Sequence, residues 1–441
     1  MNPPARADRL SSAQGLRYGA LGLPLAFVAL PLYVILPNHY AREFGMPLAT
    51  LGALLLAVRL LDAVVDPLLG RLVDRLYARS LRAVLAIAAL ASLVLAAGFA
   101  GLFFPPSRAP SDLLIWAALL LVLSYTAFSL VAIAHQSWGA MLGGSEAYRS
   151  QVVAWREGMG LVGVVLASLL PTLLGLGVTS AVFTLALAAG WLAWRHAPRP
   201  DIRPPAQPGP DRPLPTASLW QPLANPAFLR LLAVFLLNGI ASAIPATLVL
   251  FFVQDQLQAP THLEPAFLAA YFLSAALSLP LWLRAVPRFG LARVWLAGML
   301  LAVAAFAGAT LLGPGDAALF LLVCAASGIA LGTDLALPGA LLAGLIDRSG
   351  QRGHSEGGYF GWWNFAVKLN LALAAGLALP LLALAGYTPG ARDAQALQAL
   401  TLAYCVLPCV LKLLAASALQ WLVIRPARQH QPLNPSLRST P

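Results

Sequence analysis

A chain of 441 residues that is 59% hydrophobic and only 10% charged cannot cover a water-soluble surface, which takes about 25% charged residues. A mean hydropathy of +0.77 points to lipid as the solvent for much of it. The formal net charge of +11 would suit nucleic acid, but the basic residues sit in short segments between apolar runs, where they report membrane orientation and argue for no nucleic-acid partner.

In chain order, twelve runs approach the length of about 20 apolar residues that a membrane-crossing helix needs. They are 16–37, 48–70, 82–104, 112–137, 154–176, 179–195, 228–253, 265–287, 291–313, 317–346, 359–386 and 397–424. All are rich in Leu and Ala without period-two alternation, so helices are expected rather than barrel strands. The first run lacks a clear small-residue cleavage site and reads as a retained span. The division between the fifth and sixth runs rests on the short GLGV at 175–178. With the N-terminus placed inside, most Arg residues fall in inside segments, and Arg42, Arg108 and Arg392 fall outside. This is a strong positive-inside pattern with both termini cytoplasmic.

The longest connection, His196 to Pro226, is Pro-rich and charged and reads as a semi-rigid or disordered linker. The expected organisation is an all-α polytopic membrane protein: a six-helix bundle over 1–195, a cytoplasmic linker over 196–226, a second six-helix bundle over 227–425 and a disordered cytoplasmic tail over 426–441. Two six-helix halves around a cavity resemble the architecture of major facilitator transporters, whose substrate sites lie near the bilayer midplane. Cys324, Cys405 and Cys409 lie inside apolar runs, so no disulfide framework is expected. Cys405 and Cys409 read as packing residues rather than a metal pair, and no metal site is expected.

Ionisable residues inside apolar spans are functional candidates by default. Arg59, Asp62 and Asp66 are spaced three and four apart and share one helix face, which must look into a polar interior. Asp62 lies about 21 Å along its helix from the outer end, at 1.5 Å per residue. Thr126 and Ser129 reach a similar depth on the fourth span, with Tyr125 beside them, and form the expected cation-coupling group with Asp62 and Asp66. Lys368 lies about 15 Å deep on the eleventh span and needs a carboxylate partner there. It joins Arg59, Asp334, Trp363, Asn364 and Tyr125 as the substrate-or-coupling group.

Simpler readings stand beside these. Asp66 could cap a rim, Arg59 could pair structurally with Asp62, and Lys368 could snorkel. Trp362 and Trp363 suit an interface belt as well as a sugar-stacking platform. Lys412 reads as structural, His135 as a packed histidine, and Arg156–Glu157 as a salt bridge on the cytoplasmic side.

Two motifs sharpen this. RLLDAVVDPLLG, with Arg59, Asp62, Asp66, Pro67 and Gly70, resembles the second-helix signature of the glycoside–pentoside–hexuronide:cation symporters, the group of the melibiose permease. LPGALLAGLIDRSGQRGHSEGGYFGWWNFAVKLN, with Asp347, Arg352, Glu356, Gly357 and Lys368, resembles that family's connection between helices ten and eleven. The resemblance implies that Asp62 and Asp66 line a cation site with Thr126, faced by Lys368 from the other half. GRLVDR also resembles the general facilitator loop, in which Gly70, Asp74 and Arg75 brace the turn after helix two; Asp347, Arg352, Glu356, Arg156 and Glu157 complete the gating set. Three departures lie at family positions: helix one has no acid, with Pro24 near that place; Ser129 stands for a second acid on helix four; and Val65 stands for an Asn. They remove oxygen ligands that Na⁺ needs, so H⁺ is favoured over Na⁺.

The expected function is secondary active, cation-coupled symport of a small polar solute such as a sugar derivative, in the cell inner membrane, by a monomer. The partners are that solute and the bilayer, and there is no cofactor beyond the coupling ion. No HExxH, Walker loop or GxSxG appears, so no enzyme is expected. The alternatives are an exporter of amphipathic small molecules and a non-transporting membrane scaffold.

Overall fold

Continuous Leu- and Ala-rich runs give helices almost throughout. A computed structural model describes residues 10–107, 109–200 and 218–426, and it contains no strand among them. Residues 201–217 of the expected linker and 427–441 of the expected tail lie outside the described residues. So do Arg6, Arg9, Arg108, Arg203, Arg212, Arg428 and Arg438 of the charge comparison.

The first span is not one helix. It is divided into α1 (Ser12–Gly19), α2 (Gly22–Phe27), a π-turn segment Pro31–Ile35 and α3 (Leu36–Glu43). Pro24, Pro31 and Pro37 each lack the N–H that an unbroken ladder requires. α1 starts at a capping box, in which Ser11 Oγ accepts from Gln14 N and Gln14 Oε1 accepts from Ser11 N. α4 (Leu48–Arg79) and α5 (Leu81–Phe103) meet at Ser80, whose hydroxyl accepts from Ala83 N at 3.0 Å and caps α5. α6 is Pro110–Met141 and α7 is Glu146–Arg195.

The fifth and sixth runs both lie in α7, which breaks at Gly175 with φ 78° and ψ 170°. Gly163 packs on the Leu23 backbone and Gly190 on Leu21, so both arms of α7 flank the first span and the chain reverses at Gly175. That backbone conformation is open essentially to glycine alone.

α8 (Pro226–Phe251) is capped by Asn225 and prolonged by a π turn to Gln256. α9 (Glu264–Phe289), α10 (Leu291–Ala309), α11 (Ala317–Arg348) and α12 (Glu356–Leu384) follow. The last run holds α13 (Ala394–Thr401) and α14 (Leu407–Leu419), joined by the π turn Leu402–Val406. Among the described residues, nine helical stretches are long and apolar enough to cross a membrane; α4, whose run holds Arg59, Asp62 and Asp66, is not one of them. On α4 the buried side carries Asp62 and Asp66, while Leu56, Leu60, Val64 and Leu68 are exposed, the apolar outer face of a membrane protein.

Contacts divide the chain into two compact units. The first takes the chain up to Ala224 with Leu279–Pro287 and Leu335–Leu369. The second takes Asn225–Ser278, Arg288–Asp334 and the chain from Asn370. The end of α11 and the start of α12 therefore belong to the first unit. In its core, Tyr18 stacks on His135 at 4.3 Å, and Trp194 meets both His135 and Trp138 at 5.3 Å. Both described ends of the linker are tied into this unit. Trp138 Nε1 donates to Pro198 O at 2.8 Å, and Trp362 Nε1 donates to Leu219 O at 2.9 Å. In the second unit Phe252 stacks on Tyr404 at 4.3 Å, next to Phe320.

Candidate functional site

Within the first unit, α4, α6 and α12 bring four polar side chains to one buried point. Asp62 and Asp66 lie one turn apart on α4, 6% and 0% exposed. Lys368 Nζ, from α12, is 2.7 Å from Asp62 Oδ2 and 2.7 Å from Asp66 Oδ2. It donates to Asp66 Oδ1 and to Ser129 Oγ of α6, both at 2.8 Å. Ser129 Oγ in turn donates to Asp62 Oδ1 at 3.1 Å. Two carboxylates and one ammonium leave one formal negative charge. A buried charge without a full partner is costly, so one proton or one monovalent cation is what would complete the cluster.

Glycines let α12 come close enough to α4. A Cβ on Gly70 would collide with the Gly357 carbonyl, and one on Gly361 would lie 2.7 Å from Asp66 O and 3.0 Å from Pro67 Cα. Gly357 and Gly361 form the small-x-x-x-small spacing that brings membrane helices into backbone contact. Asp74 fixes the same crossing. Its Oδ1 accepts from Gly357 N at 2.6 Å and its Oδ2 from Gly358 N at 2.8 Å, placing a carboxylate on the otherwise unpaired N–H groups at the start of α12.

A second set of contacts ties the turn before α12 to α6 and α7. Arg149 Nη1 is 3.1 Å from Asp347 Oδ2, and Arg352 Nη1 is 3.6 Å from Asp347 Oδ1. Arg352 also donates to Met141 O through Nε (3.1 Å) and Nη2 (2.9 Å), and to Leu142 O at 3.2 Å. Glu356 Oε1 accepts from Gly353 N at 2.7 Å. Glu356 precedes the apolar run 359–386 and is 1% exposed; burial pushes its carboxyl up to about 7, against the lowering pull of the N–H groups of Gly353, Ser355 and Glu356 and of Arg352.

Arg59 does not pair with Asp62; its guanidinium lies 4.1 Å over the Tyr33 ring, which packs 5.6 Å from Tyr125. Thr126 is half-buried and makes no polar contact with the aspartates, so Ser129 alone brings a hydroxyl from α6. Asn364 and Gln136 exchange amide hydrogen bonds of 3.1 and 3.4 Å. Trp363 is buried in the packing and offers no open stacking face. Arg75 is exposed and makes no ion pair among the described residues, so Asp74 braces the turn without it. Arg156 pairs with its chain neighbour Glu157 and also faces the Tyr18 hydroxyl of α1.

Asp334 is not part of this cluster. In the second unit it pairs with Lys412 at 2.9 Å, and its Oδ1 accepts from Asn238 Nδ2 (3.0 Å) and Trp295 Nε1 (2.7 Å). Lys412, expected to be structural, is thus the partner of Asp334, and Trp295 joins them without any expectation from sequence. The available signal was that two buried opposite charges, Asp334 and Lys412, both lay in apolar runs of the second half.

Comparison with known proteins agrees with this geometry at the level of fold. No curated protein matches the sequence at a significant level. Among solved structures, a bacterial homologue of the iron transporter ferroportin in its outward-facing state aligns with TM-score 0.71 at 16% identity, over 94% of this chain and 100% of that one. Its form with soaked iron gives 0.69 at 16%, over 94% and 99%. The human organic anion transporter MFSD10 (TETRAN) gives 0.62 at 20%, over 95% and 100%. The sequence profile of the MFS/sugar transport proteins matches residues 17–424, nearly the whole chain, and the chain belongs to that family.

Proposed function

We propose that this transporter couples the inward movement of a proton to symport of a small polar solute, with a sugar or sugar derivative as the leading class. The reading rests on one observation: Lys368 Nζ bridges Asp62 and Asp66 at 2.7 Å and links α12 to α4 and α6. In this account a proton on one aspartate neutralises it, completes the charge balance and ends the bridge, leaving Lys368 paired with the other aspartate alone. The ionic tie between α4 and α12 is then weaker, and an equilibrium between two states shifts by the difference in affinity. The ammonium already fills the space between the carboxylates, which favours a proton over Na⁺ as the coupling ion. The same reading carries the finer architecture: twelve spans in two six-helix bundles, both termini cytoplasmic, the inner membrane as location, a monomer, and a place among the glycoside–pentoside–hexuronide:cation symporters.

The test is uptake by proteoliposomes of a panel of labelled sugars and sugar derivatives, under an imposed pH gradient, a Na⁺ gradient, or neither. Accumulation driven by the pH gradient and abolished in Asp62→Asn and Asp66→Asn supports the proposal. Accumulation that ignores both gradients, or that survives both substitutions, removes it.

A further inference from the structure

We propose that the second unit holds a separate binding site for a neutral molecule with an apolar body and one hydrogen-bond acceptor at its end. The site is a cavity of about 250 Å³ walled by α8, α9, α10, α11 and α14. Scaled from an apolar cavity of about 150 Å³ that takes benzene, it has room for about ten non-hydrogen atoms. Its walls are hydrocarbon and aromatic for most of their extent, including Phe267, Phe306, Leu331 and Tyr404; Asp334, Lys412 and Ser242 supply a polar patch.

That patch sets the ligand's chemistry. Asp334 is fully engaged, with Oδ1 on Asn238 and Trp295 and Oδ2 on Lys412. Lys412 is 6% exposed and donates to Ser242 Oγ (2.8 Å) and Asp334 Oδ2 (2.9 Å). An ammonium carries three N–H donors, so one is left for an occupant of the cavity it lines. The patch is neutral, unlike the cluster on α4. A cation finds no spare carboxylate here, and an anion would add an uncompensated charge to an apolar enclosure. A ketone, ester, ether or alcohol oxygen meets the free N–H at no such cost.

The protein carries its own reporters. Of its three cysteines, Cys324 and Cys409 line the cavity, whereas Cys405 is 0% exposed and does not. The full chain in nanodiscs is treated with methyl methanethiosulfonate, and modification of Cys409 is followed by peptide mass. The probes are 4-phenylbutan-2-one, butylbenzene and 3-phenylpropanoate, which are nearly equal in size and differ in bearing a neutral acceptor, none, or a negative charge. The ketone is expected to half-protect Cys409 at a concentration about tenfold below that of either other probe, the value of one hydrogen bond to a charged donor. In Asp334→Asn/Lys412→Met, which removes both charges together and strands neither, the ketone falls to the hydrocarbon's level. Ala246→Phe, which fills the cavity, removes protection by all three.

Equal protection by ketone and hydrocarbon in the unaltered protein overturns the proposal and leaves an apolar recess that acyl chains fill. Strongest protection by the carboxylate overturns the neutral-ligand assignment. If Cys409 proves unreactive, saturation-transfer NMR of the ketone decides: signal lost in Ala246→Phe supports the site, and equal signal rejects it.

Discussion

Lys368→Met removes the one cation from between two buried carboxylates, 0% and 6% exposed, each 2.7 Å from the ammonium. The formal charge of the cluster changes from one negative to two. Taking one partner from a buried ion pair costs about 3–5 kcal/mol, because the remaining charge stays desolvated. At 1.4 kcal/mol per factor of ten, that is roughly 10²- to 4 × 10³-fold in the equilibrium that keeps the cluster closed. Methionine keeps most of the side-chain volume, so the loss is of charge rather than packing. The assay is thermal unfolding of the purified protein as unaltered chain, Lys368→Met, Asp66→Asn and the double variant. Lys368→Met is expected to unfold several degrees lower, and adding Asp66→Asn restores part of the loss by returning the charge to one negative. A Lys368→Met protein that unfolds with the unaltered chain, or a double variant no more stable than Lys368→Met alone, refutes the claim that the ammonium compensates these carboxylates.

Glu356 gives a pH dependence with a definite sign. Its folded value of about 7 lies above the 4.5 of the free carboxyl, so its contribution is full below pH 4.5 and is lost as pH rises towards 7. Unfolding temperature measured across that window should therefore fall more steeply in the unaltered protein than in Glu356→Gln. Gly175→Ala meets no atom within 4 Å of the new Cβ, so its cost is backbone strain alone, about 1–3 kcal/mol, read as a lower unfolding temperature with the transport direction unchanged. Arg352→Ala frees the carbonyls of Met141 and Leu142 and should speed amide hydrogen exchange around 141–146 about tenfold or more, consistent with loss of charged hydrogen bonds. Lysine at 352 should rescue little, since an ammonium cannot reproduce the guanidinium fork across two carbonyls.

Much of this site was legible because helix periodicity is rigid. Spacings of three and four fix Asp62 and Asp66 on one face of α4 whatever surrounds them. A lone lysine deep in an apolar run demands a carboxylate, and Lys368 has two. Arg59 was not legible, because a guanidinium can stack on a ring as readily as pair with an acid; Tyr33 comes from a span whose prolines set its path. Thr126 and Ser129 lie three apart, and only the rotation of α6 against α4 decides which hydroxyl meets the acids. The end-to-start contacts of α12, made by backbone N–H groups on Asp74, leave almost no trace in side-chain chemistry beyond the glycines themselves. The pairing of Asp334 with Lys412 escaped because the two are far apart in sequence, and nothing local in either run names the other.

The meeting of Gly70 with Gly357 and Gly361 lies between two fastenings, Asp74 at the start of α12 and Asp66 with Lys368 some three turns further along. A pair of rods touching at bare backbone has no knobs to ratchet past, so it can pivot with little friction. If the ionic fastening lets go while the amide fastening holds, α12 swings about that fulcrum like a door leaf on its lower hinge, and the smallest residues in the protein set how freely it moves.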